Sequence, residues 1–248
     1  MSMDAPDTPV IPRDLPARVA NYSWDAIAVD LDAQGAAVLP GLFGIEECFA
    51  ATNLLVDGAA RATPSLPEQR AWAEGDSRYF NYPLPELIET LRSTLYPFLT
   101  PVANSWHDRM GLAERFPPTF TEFLNVCHRD RQTLPTSIIY DHRVGQQSLL
   151  HQDVYGRHQF PLQVLVLLSQ PGWDFTGGEF VITEQRPRMQ TRPEVVALQK
   201  GDAVVFAVSG RPVTGSRGTY RVNLRHGLSQ VRHGQQRALS IVFHDASV

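Results

Sequence analysis

The stretch LLHQDVYG, residues 149–156, places His151 and Asp153 two residues apart. On a β-strand, side chains at i and i+2 leave from the same face. One short strand can therefore aim an imidazole and a carboxylate at a single point. A metal held there needs a third protein ligand. His142 precedes a turn at Gly145, His158 follows YGR, which turns the chain away, and His233 and His244 fall near the end. His226 fits the pattern best. In GTYRVNLRHGLSQV, residues 218–231, Val222, Leu224, His226 and Leu228 alternate onto one face, and Arg221, Asn223 and Arg225 onto the other. An imidazole on an apolar inner face is either a satisfied core histidine or a ligand, and beside HQD the ligand reading prevails. Two imidazoles and one carboxylate on one side of a metal leave its other positions open, an arrangement suited to Fe(II).

An HxD tripeptide alone is weak evidence, because it occurs often by chance. Its surroundings carry more. The apolar run PLQVLVLLS at 161–169, the Gly-Gly turn in FTGGEFVITE at 175–184 and the strand KGDAVVFAV at 200–208 lie between HQD and His226. From about residue 134 onward the periodicity is strand-like, with Gly and Pro turns and no alternating helices, which excludes a parallel βαβ sheet. Upstream, helices are expected at 23–35, capped by Ser23 and closed by Gly35, and at 45–61, where Ile45, Phe49, Asn53 and Val56 follow one face. Further helices are expected at 85–99, over VANSWHDRMGL at 102–112, and at 119–130 behind a Thr119 cap; AAVLPGLF at 36–43 reads as a strand. The stretch 63–85 is broken by prolines. It interleaves Trp72, Tyr79, Phe80 and Tyr82 with Arg70 and Arg78, as a loop anchored to the core or as a lid.

The expected fold is α+β: a double-stranded β-helix, or jelly roll, with a helical N-terminal half packed against it. Residues 1–20 are expected as a flexible N-terminal arm. Residues 21–248 are expected as a single domain, with helical support over about 21–130 and the jelly-roll core over about 134–248.

A formal net charge of -4 and a pI near 6.0 give no global attraction to nucleic acid or anionic membrane. Positive charge is nonetheless concentrated, since Lys200 is the only lysine. Arg186, Arg188 and Arg192 cluster before the 200–208 strand, and Arg211, Arg217, Arg221 and Arg225 after it. Such a cluster can contact phosphates, or can form a solvated rim. Cys48 and Cys127 form no CxxC pair and read as reduced thiols. No apolar run spans a bilayer and the N-terminus has no signal-like core, so a cytoplasmic location is expected.

The metal strand, Gly-Gly turn, GD strand and late histidine together resemble the 2-oxoglutarate/Fe(II)-dependent dioxygenase superfamily. RYFNYPLPEL, LHQDVYGRHQFPLQVLVLLSQPG, DFTGGEFVITEQRPRMQ, GDAVVFAV, RPVTGSRGTYRVNLRHG and IVFHDA are similar to its bacterial family of predicted nucleic-acid oxygenases, Oxygenase-NA. The resemblance implies a metal triad of His151, Asp153 and His226. It implies Fe(II), 2-oxoglutarate as cosubstrate and O2, with ascorbate as a supporting reductant. It implies C–H hydroxylation, and at the substrate level oxidative demethylation of a damaged nucleic-acid base. The alternatives are a hydroxylase of a small molecule, amino acid or natural product with the same cofactors, or a non-catalytic metal-binding jelly roll that senses a ligand. In the family pattern a Gly-x-Arg element after the distal histidine binds the far carboxylate of 2-oxoglutarate. Here that position is Gln236, and the arginine is Arg237. On a regular strand Arg237 faces away with Leu239 and Ile241, so a one-residue bulge between Gly234 and Ala238 is expected to turn it inward, with Arg221 or Arg225 as substitutes. Tyr140, on the neighbouring strand, is either a hydrogen-bond donor to the cosubstrate or a core tyrosine.

Overall fold

The computed structural model describes residues 14–55, 60–61, 75, 77–216 and 218–247. Its N-terminal half contains α1 (Leu15–Ala20), α2 (Trp24–Gln34), β1 (Ala36–Leu39), α3 (Ile45–Asn53), β2 (Ala60–Arg61), β3 (Arg78–Phe80), α4 (Glu86–Arg109) and α5 (Phe120–Arg129). The rest is strand: β4 (Gln132–Leu134), β5 (Ile138–Arg143), β6 (Ser148–His151), β7 (Leu162–Leu167), β8 (Phe175–Gly177) and β9 (Phe180–Gln185). Then come β10 (Arg192–Val196), β11 (Ala203–Ala207), β12 (Gly210–Gly215), β13 (Gly218–Leu228), β14 (Val231–Ile241) and β15 (Ala246–Ser247).

Two antiparallel sheets face each other. The larger runs β1-β11-β7-β14-β5-β3-β2, with β8 also on β14; the smaller runs β10-β9-β13-β12, with β6 also on β13. This is the double-stranded β-helix backed by helices. Every residue of β7 and of β11 is buried. Both faces of these central strands are covered, which is why their sequences read as unbroken apolar runs.

Helix α4 is a single element where two helices were expected. Pro97 and Pro101 lie inside it and each removes a backbone donor. The buried stripe Leu91, Leu95, Leu99, Ala103 and Trp106 continues through both prolines, so packing on the sheet overrides the local break. Its Arg92 is fully buried and donates to Asp245 Oδ1 at 2.8 Å and to the Phe243 carbonyl at 2.9 Å. Asp245 Oδ2 in turn meets Tyr82 Oη at 2.7 Å and His128 Nε2 at 2.8 Å, which ties α4 and α5 to the end of the last long strand.

Two expectations are corrected, and a third is narrowed toward the anchored alternative. The chain from Leu15 is a helix with Leu15 and Val19 buried, not a loose arm, because both side chains join the main core. In α3, Ile45 and Phe49 are exposed, and Cys48 and Ala51 are buried instead. Small side chains on that face let the helix lie close to the core, where Gly201 packs against the Phe43 carbonyl. Of the stretch 63–85, Tyr79 and Phe80 are core residues of β3, whereas Arg70 and Trp72 lie outside the described residues, as does Arg217.

Candidate metal centre

Register builds the site. His151, the last residue of β6, is the direct cross-strand partner of His226 in β13, and His226 is flanked on its other side by Ile182 of β9. Val222, Leu224, His226 and Leu228 are all buried, while Arg221, Asn223 and Arg225 are exposed. The two imidazole centroids are 4.3 Å apart. Asp153, two residues beyond His151, brings Oδ1 to 3.6 Å from His151 Nε2 and Oδ2 to 3.3 Å from His226 Nε2. One ligand atom from each of the three lies within 4.8 Å of the others, and all three residues are buried.

The surroundings orient each ligand. His151 Nδ1–H donates to the Leu149 carbonyl at 2.7 Å, which assigns the Nε2 lone pair to the side of Asp153. Tyr155 Oη–H donates to Asp153 Oδ1 at 2.6 Å, and Gln163 Nε2–H to Asp153 Oδ2 at 2.7 Å. Gln163 also reaches Ser240 Oγ at 2.6 Å, which locks its amide. Phe206 packs on the His226 ring at 4.5 Å and Phe180 lies nearly parallel to it at 6.3 Å, so apolar surface closes the site from behind.

The electrostatics match ligation. Burial by itself would raise the Asp153 carboxyl, but the neighbouring His151 and His226 outweigh it and hold the group well below the ordinary carboxylate range. Burial, reinforced by His151, pushes His226 down to about 4 against the pull of Asp153. An ionised carboxylate beside a neutral imidazole is the protonation state a metal ligand needs. Among the described residues neither His226 ring nitrogen makes an aligned hydrogen bond, a costly condition for a buried imidazole that a bound cation relieves. The donor set therefore fits Fe(II).

The four other histidines weighed as ligands are elsewhere. His158 bonds to Glu114 and Asp130, His233 is exposed, and His244 is buried beside Tyr155. His142 lies on the inner face of β5, opposite Gln236.

Arg237 is not brought to the site. The register from Gln235↔Arg143 to Ser240↔Ile138 is unbroken, so the expected bulge is absent. Arg237 points outward and donates to Asp141 Oδ1 at 3.1 Å, its side chain 33% exposed. Gln236 takes the inward position, 1% exposed. Arg221 and Arg225 are on the outer face of β13, so neither substitutes. Tyr140 is buried on the inner face of β5, where burial, then the Asp153 charge, push its phenol well above its ordinary range and keep it a donor. Sequence reasoning missed Gln163 and Tyr155. Both carried a signal: a lone polar residue in an apolar run, and a hydroxyl two residues beyond the metal carboxylate.

The profile of a family described as "Oxygenase, catalysing oxidative methylation of damaged DNA" matches residues 75–246. The chain belongs to the Oxygenase-NA family. Two Mycobacterium tuberculosis relatives, uncharacterized proteins MT2286 and Rv2227, are each 42% identical to this Oxygenase-NA protein over 168 residues, 68% of it and 72% of their own length. Solved structures share the fold. A prolyl-4-hydroxylase from Pseudomonas putida superposes with a TM-score of 0.52 at 11% identity, covering 91% of this chain and 100% of that one. A 2OG-Fe(II) oxygenase family oxidoreductase from Burkholderia pseudomallei gives 0.52 at 17% identity, covering 92% and 93%. The oxygenase is thus a 2-oxoglutarate/Fe(II)-dependent enzyme whose facial triad is His151, Asp153 and His226.

Proposed function

We propose that this oxygenase hydroxylates an N-methyl carbon on a damaged nucleic-acid base, using 2-oxoglutarate and O2 and releasing the methyl group as formaldehyde. The observation that carries the oxygenase chemistry is the buried triad, with both Asp153 oxygens fixed by neutral donors. The family description supports the substrate class. An oxygenase acting on a methylated base oxidises the methyl carbon, and the resulting hemiaminal loses formaldehyde.

His151, Asp153 and His226 would hold Fe(II), which would supply the oxidising chemistry with 2-oxoglutarate and O2. The chain's own residues do the rest. His151 and His226 would offer the metal their ring nitrogens. Tyr155 and Gln163 hold the Asp153 carboxylate in one orientation, and Phe180 and Phe206 exclude water from behind His226. We assign Tyr140 as a hydrogen-bond donor to the cosubstrate from the inner face of β5, with ascorbate as a supporting reductant.

Exposed Arg188, Arg192, Arg221 and Arg225 lie on the β9–β10 connection, on β10 and on the outer face of β13, available to phosphates. Arg211 does not join them. It is buried and donates to the Asp32 and Ala33 carbonyls and to Glu184. A second reading, a small apolar substrate, is favoured by Leu149, Leu150 and Val154, which are exposed around His151 and Asp153. The test is formaldehyde release from a panel of N-methylated single-stranded oligonucleotides with Fe(II), 2-oxoglutarate and ascorbate. Release that falls steeply with salt supports the nucleic-acid reading. No release, with hydroxylation of a free metabolite, establishes the second.

A further inference from the structure

Next to the Gly177–Gly178 turn the two sheets border a half-open cavity of about 350 Å3. Leu167, Phe175, Phe180, Leu198 and Leu228 contribute apolar wall. This size and apolarity fall in the range of small-molecule sites, which add a few placed polar groups to an apolar wall. One buried polar side chain lines this cavity, Gln236. Its amide N–H donates to the Gly178 carbonyl, which fixes which end is nitrogen. The other end, Oε1, is buried and has no hydrogen-bond partner among the described residues. Native interiors satisfy nearly all such acceptors, so an orphan on a cavity-lining side chain marks a place where a ligand can donate once the amide turns toward it.

The charge pattern narrows the ligand. A carboxylate placed here would meet a bare carbonyl oxygen and, at the rim, the exposed carboxyl of Glu179. Of the arginines of β14, Arg237 faces out to Asp141, and Arg232 lies against Gly177 at the rim, where it offsets Glu179 rather than reaching Gln236. We propose that this cavity binds an uncharged, mainly apolar small molecule that presents one N–H or O–H donor to Gln236. The occupant lies one side chain from the metal centre. Phe180 is shared between the cavity wall and the His226 ring, 6.3 Å apart and inclined by 21°, and Leu228 follows His226 on the same face of β13. Occupancy therefore bears on the packing of a metal ligand.

The probe is 4-methylphenol, with toluene as its donor-free analogue and 4-hydroxybenzoate as its anionic one. Each is titrated into the full chain loaded with diamagnetic Zn(II), followed by NMR of the Gln236 side-chain amide and the Gly178 backbone amide. The expected result is saturable 4-methylphenol binding, with toluene about fivefold weaker, the worth of one neutral hydrogen bond, and 4-hydroxybenzoate weaker still. Gln236→Leu is expected to abolish the preference over toluene and retain toluene itself, and Leu167→Trp to block both. Absence of saturable binding, equal affinity for 4-methylphenol and toluene, or displacement of the probe by 2-oxoglutarate would overturn the proposal, the last by making the cavity the cosubstrate's own.

Discussion

Replacing Gln163 by leucine tests whether the donors around Asp153 prepare it for metal. Gln163 gives Asp153 Oδ2 one hydrogen bond of 2.7 Å and is itself braced by Ser240. A hydrogen bond to a charged group contributes about 1.5–3 kcal/mol. At about 1.4 kcal/mol per tenfold, its full loss corresponds to about 10- to 150-fold in affinity. The same bond exists before metal binds, so only its orienting share is lost on binding. We therefore expect metal affinity to fall toward the lower part of that range, in line with the roughly 10- to 100-fold effect of removing groups that orient metal ligands. Stability of the metal-free fold is expected to fall by at most about 1.5–3 kcal/mol, the worth of that bond, with a partial offset. Gln163 Oε1 is buried without a hydrogen-bond partner among the described residues, and leucine removes that unmet acceptor along with the donor. The assay is competition against a chromophoric chelator, with circular dichroism as the fold control. Tyr155→Phe, which removes the donor to Oδ1, is the matched variant. Wild-type metal affinity in both folded variants would refute the reasoning.

Asp153→Ala is expected to abolish stoichiometric metal binding and turnover, measured by metal analysis and succinate formation. Arg237→Ala is expected to leave anaerobic 2-oxoglutarate binding to the Fe(II) protein unchanged, followed by the charge-transfer band. Its stability cost is expected below about 1 kcal/mol, because the pair with Asp141 is partly solvated. Asp245→Ala strands the buried Arg92 guanidinium and is expected to cost about 3–5 kcal/mol by denaturant unfolding. His226 and His244 are both pushed down to about 4 by burial. The metal-free fold binds fewer protons there than the unfolded chain does. Their contribution is full above the ordinary histidine value of 6.5 and is lost as pH falls toward 4, read as a declining melting temperature that His244→Gln makes shallower.

The jelly roll and the triad were legible because both rest on parity. A two-residue spacing put His151 and Asp153 on one side, and strict alternation in β13 put His226 among buried neighbours. The same parity placed Arg237 outward. Only the added assumption of a bulge turned it in, and nothing in the chain between Gly234 and Ala238 imposes one. Helix α3 was misread because two stripes were available. Ile45 and Phe49 have the larger side chains, but Cys48, Ala51 and the following Leu54 and Leu55 allow closer approach. Gln163 stood out as the polar member of an apolar run, but the run does not say which group across the sheets' interior it bonds.

Strand β6 has only two registered partners on β13, His151↔His226 and Leu228↔Ser148, with an irregularity between them. A cation held by His151, Asp153 and His226 would act as a rivet through this short seam. Its departure would free the strand end together with the ligands it carries. Backbone amide exchange over 149–151 then becomes a gauge of metal occupancy, and the holding time of the iron is set as much by the fraying of one strand as by the strength of three bonds.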